Sequence, residues 1–270
     1  MIIQFDATTY KYSAANAKLA ALCAGLAYKS EDEIKETTST GGDSWGFPQF
    51  HFFDRDETQG FMIGNDQIIV LAFRGTEQTK IRDWLTDLKF RQEPGPAGIN
   101  VHRGFYKGLK SVWADVLDKL TEFRQNNQAV LLTGHSLGAA LATLATAQLK
   151  VDKNITTSGL YTFGSPRVGG QDFEKYFSQH FQGRAFRFVN NNDAVTRFPP
   201  RVAFYKHVGE FLYFDNDGNM HQDIGFWREF KENIKGIAED VGEIGLDMIK
   251  DHDMKVYKNY VSNSNNIVVS

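Results

Sequence analysis

Leucines at positions 19, 22 and 26, set among alanines between Ser13 and Lys29, recur at three- and four-residue intervals and predict a helix that starts near Ser13. The charged run that follows, KSEDEIKETTSTGGDS, has no such period and reads as a surface loop. Residues 50–76 then read as strand, turn, strand, turn, strand, punctuated by Gly60 and by Gly64-Asn65-Asp66. The last of these runs, Ile68 to Phe73, is apolar at every position, as a strand buried on both faces should be. The stretch YKGLKSVWADVLDKLTEFRQ returns to helical spacing. Leu109, Val112, Trp113, Val116, Leu117, Leu120 and Phe123 fall on one stripe. The strand AVLLTG leads into a small-residue helix opening at Leu137. Beyond it lie a strand and loop (TSGLYTFGSPRVGG), a helix (QDFEKYFSQHF) and the strand RAFRFVNNND. A strand running into a turn (HVGEFLYFDNDGNM), an amphipathic segment from Phe226 to about Lys250, and DHDMKVYKNYV end the pattern.

Strands and helices alternate from residue 68 onward, which predicts an α/β fold with a central, mostly parallel sheet flanked by helices. No Pro/Gly/Ser linker divides the series and no internal repeat is visible, so residues 1–270 read as one domain. With 41% hydrophobic and 23% charged residues, the composition is that of an ordinary globular chain. A net charge of -3 and the lack of a basic run argue against nucleic acid as a partner. The lone cysteine, Cys23, lies in an apolar run and reads as a small core residue. No apolar stretch approaches the roughly 18 residues of a membrane span. The first residues, MIIQFDATTYKYS, have neither the basic nor the apolar part of a signal peptide. The expectation is a soluble protein, cytoplasmic or secreted without a visible signal.

The candidate chemistry is concentrated at LLTGHSLGAALATLA, where Gly134-His135-Ser136-Leu137-Gly138 joins strand to helix. Glycine is needed there either for tight packing alone or to hold a nucleophile on a sharp turn. Such a turn exposes a serine hydroxyl, and the amide of Leu137 at the new helix N-terminus is placed to receive an oxyanion. The serine requires a base, and the base an acid to orient it. His180, His207, His221 and His252 follow Ser136 in the chain. His180 sits among polar helix neighbours and reads as solvated; His252 lies in a short loop after the long amphipathic segment. For the acid, Asp193 ends a strand and precedes a proline-bearing loop, whereas Asp172 reads as a helix cap. Thr76, after the buried strand and Gly75, reads on its own as a turn residue.

The series IIVLAFRGT, IRDWLTDL, VHRGF, GHSLGAALATLA, YTFGSPRVG and FVNNNDAVTRFPP, with a late histidine, resembles the class 3 (fungal-type) triacylglycerol lipase family from about residue 68 to 260. The resemblance implies an α/β-hydrolase fold and hydrolysis of lipid carboxylic esters. It assigns Ser136 as nucleophile, Asp193 as acid, His252 as base, and Thr76, with Leu137, to the oxyanion hole. It also implies a short helical lid at 77–90. Ile81, Trp84, Leu85 and Leu88 fall at i, i+3, i+4 and i+7, and that apolar face would cover the site in water. The Gly/Pro-rich EPGPAG after it is expected to let the lid swing. The implied partner is a lipid or ester at a lipid–water interface, and no cofactor or metal is called for. A phospholipase A, a short-chain or feruloyl-type esterase, and a catalytically silent binding relative are the alternatives.

Other motifs are set aside. DNDGN at 215–219 lacks the later ligands of a calcium loop, with Met220 and Phe226 where glycine and glutamate are needed, and reads as a turn. Ser165 precedes Pro166, which forbids the helix a nucleophile turn requires. His102 and His135 read as structural donors to backbone carbonyls. Arg74 and Arg167 are open to ion pairing and are assigned no role.

Overall fold

The computed structural model describes residues 3–39, 43–87, 89–222 and 250–263. The first strands are β1 (Gln49–Arg55), β2 (Thr58–Gly64) and β3 (Ile68–Phe73). Next, β4 (Gln92–Pro94) and β5 (Asn100–His102) pair with each other as a separate ladder. The remaining strands are β6 (Ala129–His135), β7 (Gly159–Phe163), β8 (Ala185–Asn190), β9 (Glu210–Phe214) and β10 (Met220–His221). The main sheet has eight strands among the described residues, in the order β1-β2-β3-β6-β7-β8-β9-β10. Its centre, from β3 through β9, is parallel, and β1, β2 and β10 add antiparallel edges.

Seven helices are described: α1 (Ala14–Leu26), α2 (Glu31–Thr38), α3 (Ile81–Asp87), α4 (Arg103–Phe123), α5 (Leu137–Lys153), α6 (Gln171–Phe181) and α7 (Met254–Asn263). The sheet separates two apolar cores, and β3 feeds both by simple alternation. Ile69, Leu71 and Phe73 join Phe105, Leu109 and Val116 of α4 and Leu141 and Leu144 of α5. Ile68, Val70 and Ala72 join Leu19 and Cys23 of α1 and Met254 and Tyr257 of α7. This two-sided burial is why the run 68–73 carries no polar residue. Parallel pairing also brings the carboxyl ends of β3, β6, β7 and β8 to one edge, where α/β sheets hold their ligands.

Some local expectations are corrected. The charged run after Lys29 is not a loop but contains α2. Ser30 Oγ accepts the Glu33 amide and the Glu33 carboxylate accepts the Ser30 amide, a reciprocal cap that starts the helix. Its charges lie on the solvent side, while Ile34 and Thr38 are buried. Gly60 is not a turn residue. The hairpin turns at Asp56 and Glu57, both at positive φ, and Gly60 lies inside β2, where a Cβ would stand 2.5 Å from the Phe53 ring. Helix α4 starts at Arg103, ahead of the expected Tyr106, because His102 caps it: its Nδ1 accepts the Phe105 amide at 3.3 Å. EPGPAG forms the tight end of the β4–β5 hairpin, closed by the Gly95 amide donating to Ile99 O at 2.8 Å. Asp172 sits in the first turn of α6, and the cap position belongs to Gly170. Leu88 and residues 226–249 lie outside the described residues.

Candidate active site

Ser136 occupies the one-residue turn between β6 and α5 with φ 58° and ψ -128°, a conformation that costs a side-chain-bearing residue on the order of 1–3 kcal/mol. Both neighbouring glycines are there because no side chain fits. A Cβ on Gly134 would lie 2.3 Å from Gly138 C, and one on Gly138 would lie 2.2 Å from Phe73 O. Packing and presentation of the serine are thus one device. The Ser136 amide donates to Phe163 O at 3.0 Å, tying the turn to β7. Its hydroxyl is buried and has no hydrogen-bond partner among the described residues. Leu137 is the first residue of α5, so its amide has no carbonyl behind it within the helix. The adjoining strand end packs tightly here: a Cβ on Gly75 would meet His135 O at 2.3 Å and Ser136 Cβ at 3.0 Å. Thr76, next in the chain, is half-buried beside it.

Asp193 follows β8, and His252 precedes α7; both are buried. The His252 Nδ1–H donates to the carboxylate, at 2.9 Å to Oδ1 and 2.8 Å to Oδ2. A carboxylate only accepts, so the ring's remaining nitrogen, Nε2, is left as the acceptor in neutral His252. Nε2 is buried and, like Ser136 Oγ, has no partner among the described residues, and the two are not hydrogen-bonded to each other. Gly164 makes room for the pair, since a Cβ there would stand 2.6 Å from Asp193 Oδ2 and 2.7 Å from His252 Nδ1.

Several residues that sequence reasoning missed hold this pair in place. The Val195 amide donates to Asp193 Oδ1 at 2.9 Å, and Tyr257 Oη donates to Oδ2 at 2.6 Å. Burial, reinforced by the Asp193 charge, keeps the Tyr257 phenol well above its ordinary pKa and therefore a donor. The asparagine run before Asp193 docks the histidine loop: Asn190 Nδ2 donates to Asp251 O at 2.8 Å and Asn191 Nδ2 to Asp251 Oδ2 at 2.9 Å. The polar run NNND was the one available signal for that docking. His135 stacks on His252 with ring centres 4.4 Å apart, and its Nε2–H donates to His252 O at 2.7 Å, as its expected structural role requires. Its Nδ1 then accepts from Tyr28 Oη at 2.8 Å. Burial, with His252 acting in the same direction, holds His135 well below the usual histidine range and so neutral.

The other candidate bases are engaged elsewhere. His207 Nε2–H donates to Thr196 O at 2.8 Å, His221 pairs with Asp215 at 2.8 Å, and His180 Nδ1–H donates to Tyr176 O at 2.8 Å. Arg74 pairs with Glu77 and donates to Gln59. Arg167 Nη1 donates to the carbonyls of Arg197 and Pro199, fixing the chain beyond Asp193. In DNDGN, Asp215 Oδ1 accepts the amides of Asp217 and Asn219, which is the expected turn.

Helix α3 lies against this loop. Ile81 and Leu85 are buried with Ala194, Val195 and Phe198 in a third, small apolar cluster. Trp84 is half-buried on the same cluster and stacks on Phe105 with ring centres 6.2 Å apart. No helix among the described residues is long and apolar enough to cross a membrane, and they contain no group of three or more residues suited to a metal ion.

Residues 70–203 match the model of the lipase (class 3) family. The chain is similar to secreted mono- and diacylglycerol lipase 1 of Fusarium solani, 34% identical over 187 residues, which is 67% of this chain and 54% of that protein. The chain thus spans about half the length of that relative. A mutant form of MDLA from Penicillium cyclopium superposes with a TM-score of 0.58 at 30% identity, over 73% of this chain and 77% of the other. The mono- and diacylglycerol lipase of Aspergillus oryzae shares the fold more extensively, with a TM-score of 0.71 over 92% of this chain and 99% of the other, at 24% identity.

Proposed function

Because the chain belongs to the class 3 lipase family, we propose that it is a serine hydrolase of carboxylic esters whose substrates are acylglycerols. The observation that carries the reading is the buried Asp193–His252 pair, whose free Nε2 shares the carboxyl edge of the sheet with the positive-φ Ser136. The glycerides named for the relatives supply the substrate class.

In the proposed reaction Ser136 Oγ attacks the ester carbonyl while His252 Nε2 takes its proton. Asp193 fixes the tautomer that leaves Nε2 free and stabilises the imidazolium that forms. The amides of Leu137 and Thr76 receive the oxyanion, with the dipole of α5 aimed at the same charge. His252 then protonates the departing alcohol. Water, activated by the same nitrogen, releases the acid from Ser136. Every proton moves through groups of this chain.

The lid belongs to the same proposal. Ser136 and His252 have no exposure, so a substrate enters after a segment moves. Helix α3 is that segment: Ile81 and Leu85 sit in the small third cluster, and Trp84 bridges that cluster to Phe105 of the first core. The test is direct. A fluorophosphonate probe should label Ser136, and Ser136→Ala should lose on the order of 10⁶ in turnover on a nitrophenyl ester. Near-normal turnover by Ser136→Ala, or probe bound elsewhere, overturns the assignment.

A further inference from the structure

His207 joins the acid loop to a second region of the molecule. It donates to Thr196 O, and its ring lines a surface cavity of about 640 Å³ whose walls include none of Ser136, Asp193 or His252. The walls carry four cations, Arg167, Arg187, Arg201 and Lys206, against one carboxylate, Glu174. Arg167 already serves the carbonyls of Arg197 and Pro199. Arg187 has no such duty. It projects from β8, a strand buried on both faces, and is 6% exposed, with its guanidinium 4.8 Å from the centre of the Phe211 ring. Among the described residues it makes no hydrogen bond or ion pair, and its Nε is buried without a partner. Burial, with Arg167 adding repulsion, pushes its pKa down to about 9. Proteins rarely leave a cation buried and uncompensated, because desolvation is repaid only by a counter-charge. At the cavity rim Phe204 is 83% exposed and Phe211 supplies a second aromatic wall.

We propose that this cavity binds the carboxylate of an organic acid, with Arg187 as the inner cation, Arg201 and Lys206 at the mouth, and the ligand's apolar part against Phe204 and Phe211. The guanidinium offers paired donors to a carboxylate, and the aromatic rim separates an amphiphilic acid from a bare ion. The proposal goes beyond the ester-hydrolase reading and does not depend on it. Binding is read on the full chain by thermal unfolding against hexanoate, acetate, 1-hexanol and inorganic phosphate. Hexanoate is expected to raise Tm saturably, acetate to need at least about tenfold more for the same shift, and hexanol to give no saturable rise. Arg187→Met should raise the half-saturating hexanoate concentration at least about tenfold. Arg201→Gln and Lys206→Gln, both at exposed positions, should each weaken it and serve if the buried variant fails to fold. A flat hexanoate response, or one unchanged in all these variants, overturns the site. A phosphate response equal to that of hexanoate overturns the organic-acid assignment.

Discussion

Tyr257 completes the hydrogen bonding of the Asp193 carboxylate, which accepts from His252, Val195 and a phenol together. Losing one buried donor of this kind costs about 1–1.5 kcal/mol, which predicts roughly a tenfold fall in kcat for Tyr257→Phe on a dissolved ester. KM should move by less than about twofold, since the phenol touches no substrate in the proposed reaction. An unchanged kcat would mean that His252 and Val195 alone hold the carboxylate. The sequence could point to Ser136 because its signal is local: two glycines, a strand before and a helix after. Asp193 was legible as a strand end. The base was not separable from residues alone, since histidines look alike until their partners are known. Tyr257 was invisible, lying 64 residues from the carboxylate it serves.

Helix α3 shows how far periodicity carries and where it stops. The spacing of Ile81, Trp84 and Leu85 gave the helix and its apolar face, but not the surface that face covers. That surface comes from Ala194, Val195 and Phe198, more than a hundred residues later. The hairpin at 92–102 was missed because Gly and Pro signal a turn without saying whether the flanking residues pair. Likewise α2 was missed because charge density masked its capping box. Removing α3 from its cluster exposes on the order of 200 Å² of apolar surface, about 5 kcal/mol at roughly 25 cal/mol per Å². A lipid surface that accepts the same face offsets that cost. Activity is therefore expected to rise steeply once an ester passes its solubility limit, and Trp84→Ser should blunt the rise more than it slows a dissolved short ester. Simple saturation through the limit, identical in parent and variant, would argue for an esterase without a lid.

Across the whole molecule, the alternation of elements was enough to give the layered fold, because β3 is apolar on both faces and α4 carries a single apolar stripe. Three histidines, His102 and His135 buried and His207 half-buried, set the response of that fold to acid. Burial lowers His102 from 6.5 to about 4 and holds His135 and His207 well below 6.5. The unfolded chain takes up these protons near the ordinary value while the folded chain does not. Stability is thus retained above that value and falls as pH drops below it. Each histidine adds about 1.4 kcal/mol per pH unit to the slope. Urea midpoints should be level above neutrality and decline steadily toward pH 5, with His102→Asn, which keeps a capping side chain, reducing the slope by about one proton. A midpoint that does not move over this interval would contradict the neutral assignment.

The apolar cluster that seats α3 is built from the residues directly following Asp193. On the lid reading, a cost near 5 kcal/mol leaves roughly one molecule in several thousand open at any instant in water. Turnover on a dissolved ester would then be scaled by that occupancy, with the chemistry behind it unaltered. A slow rate in solution would count how seldom the door stands ajar, and the same opening strips one wall from the loop that carries the acid.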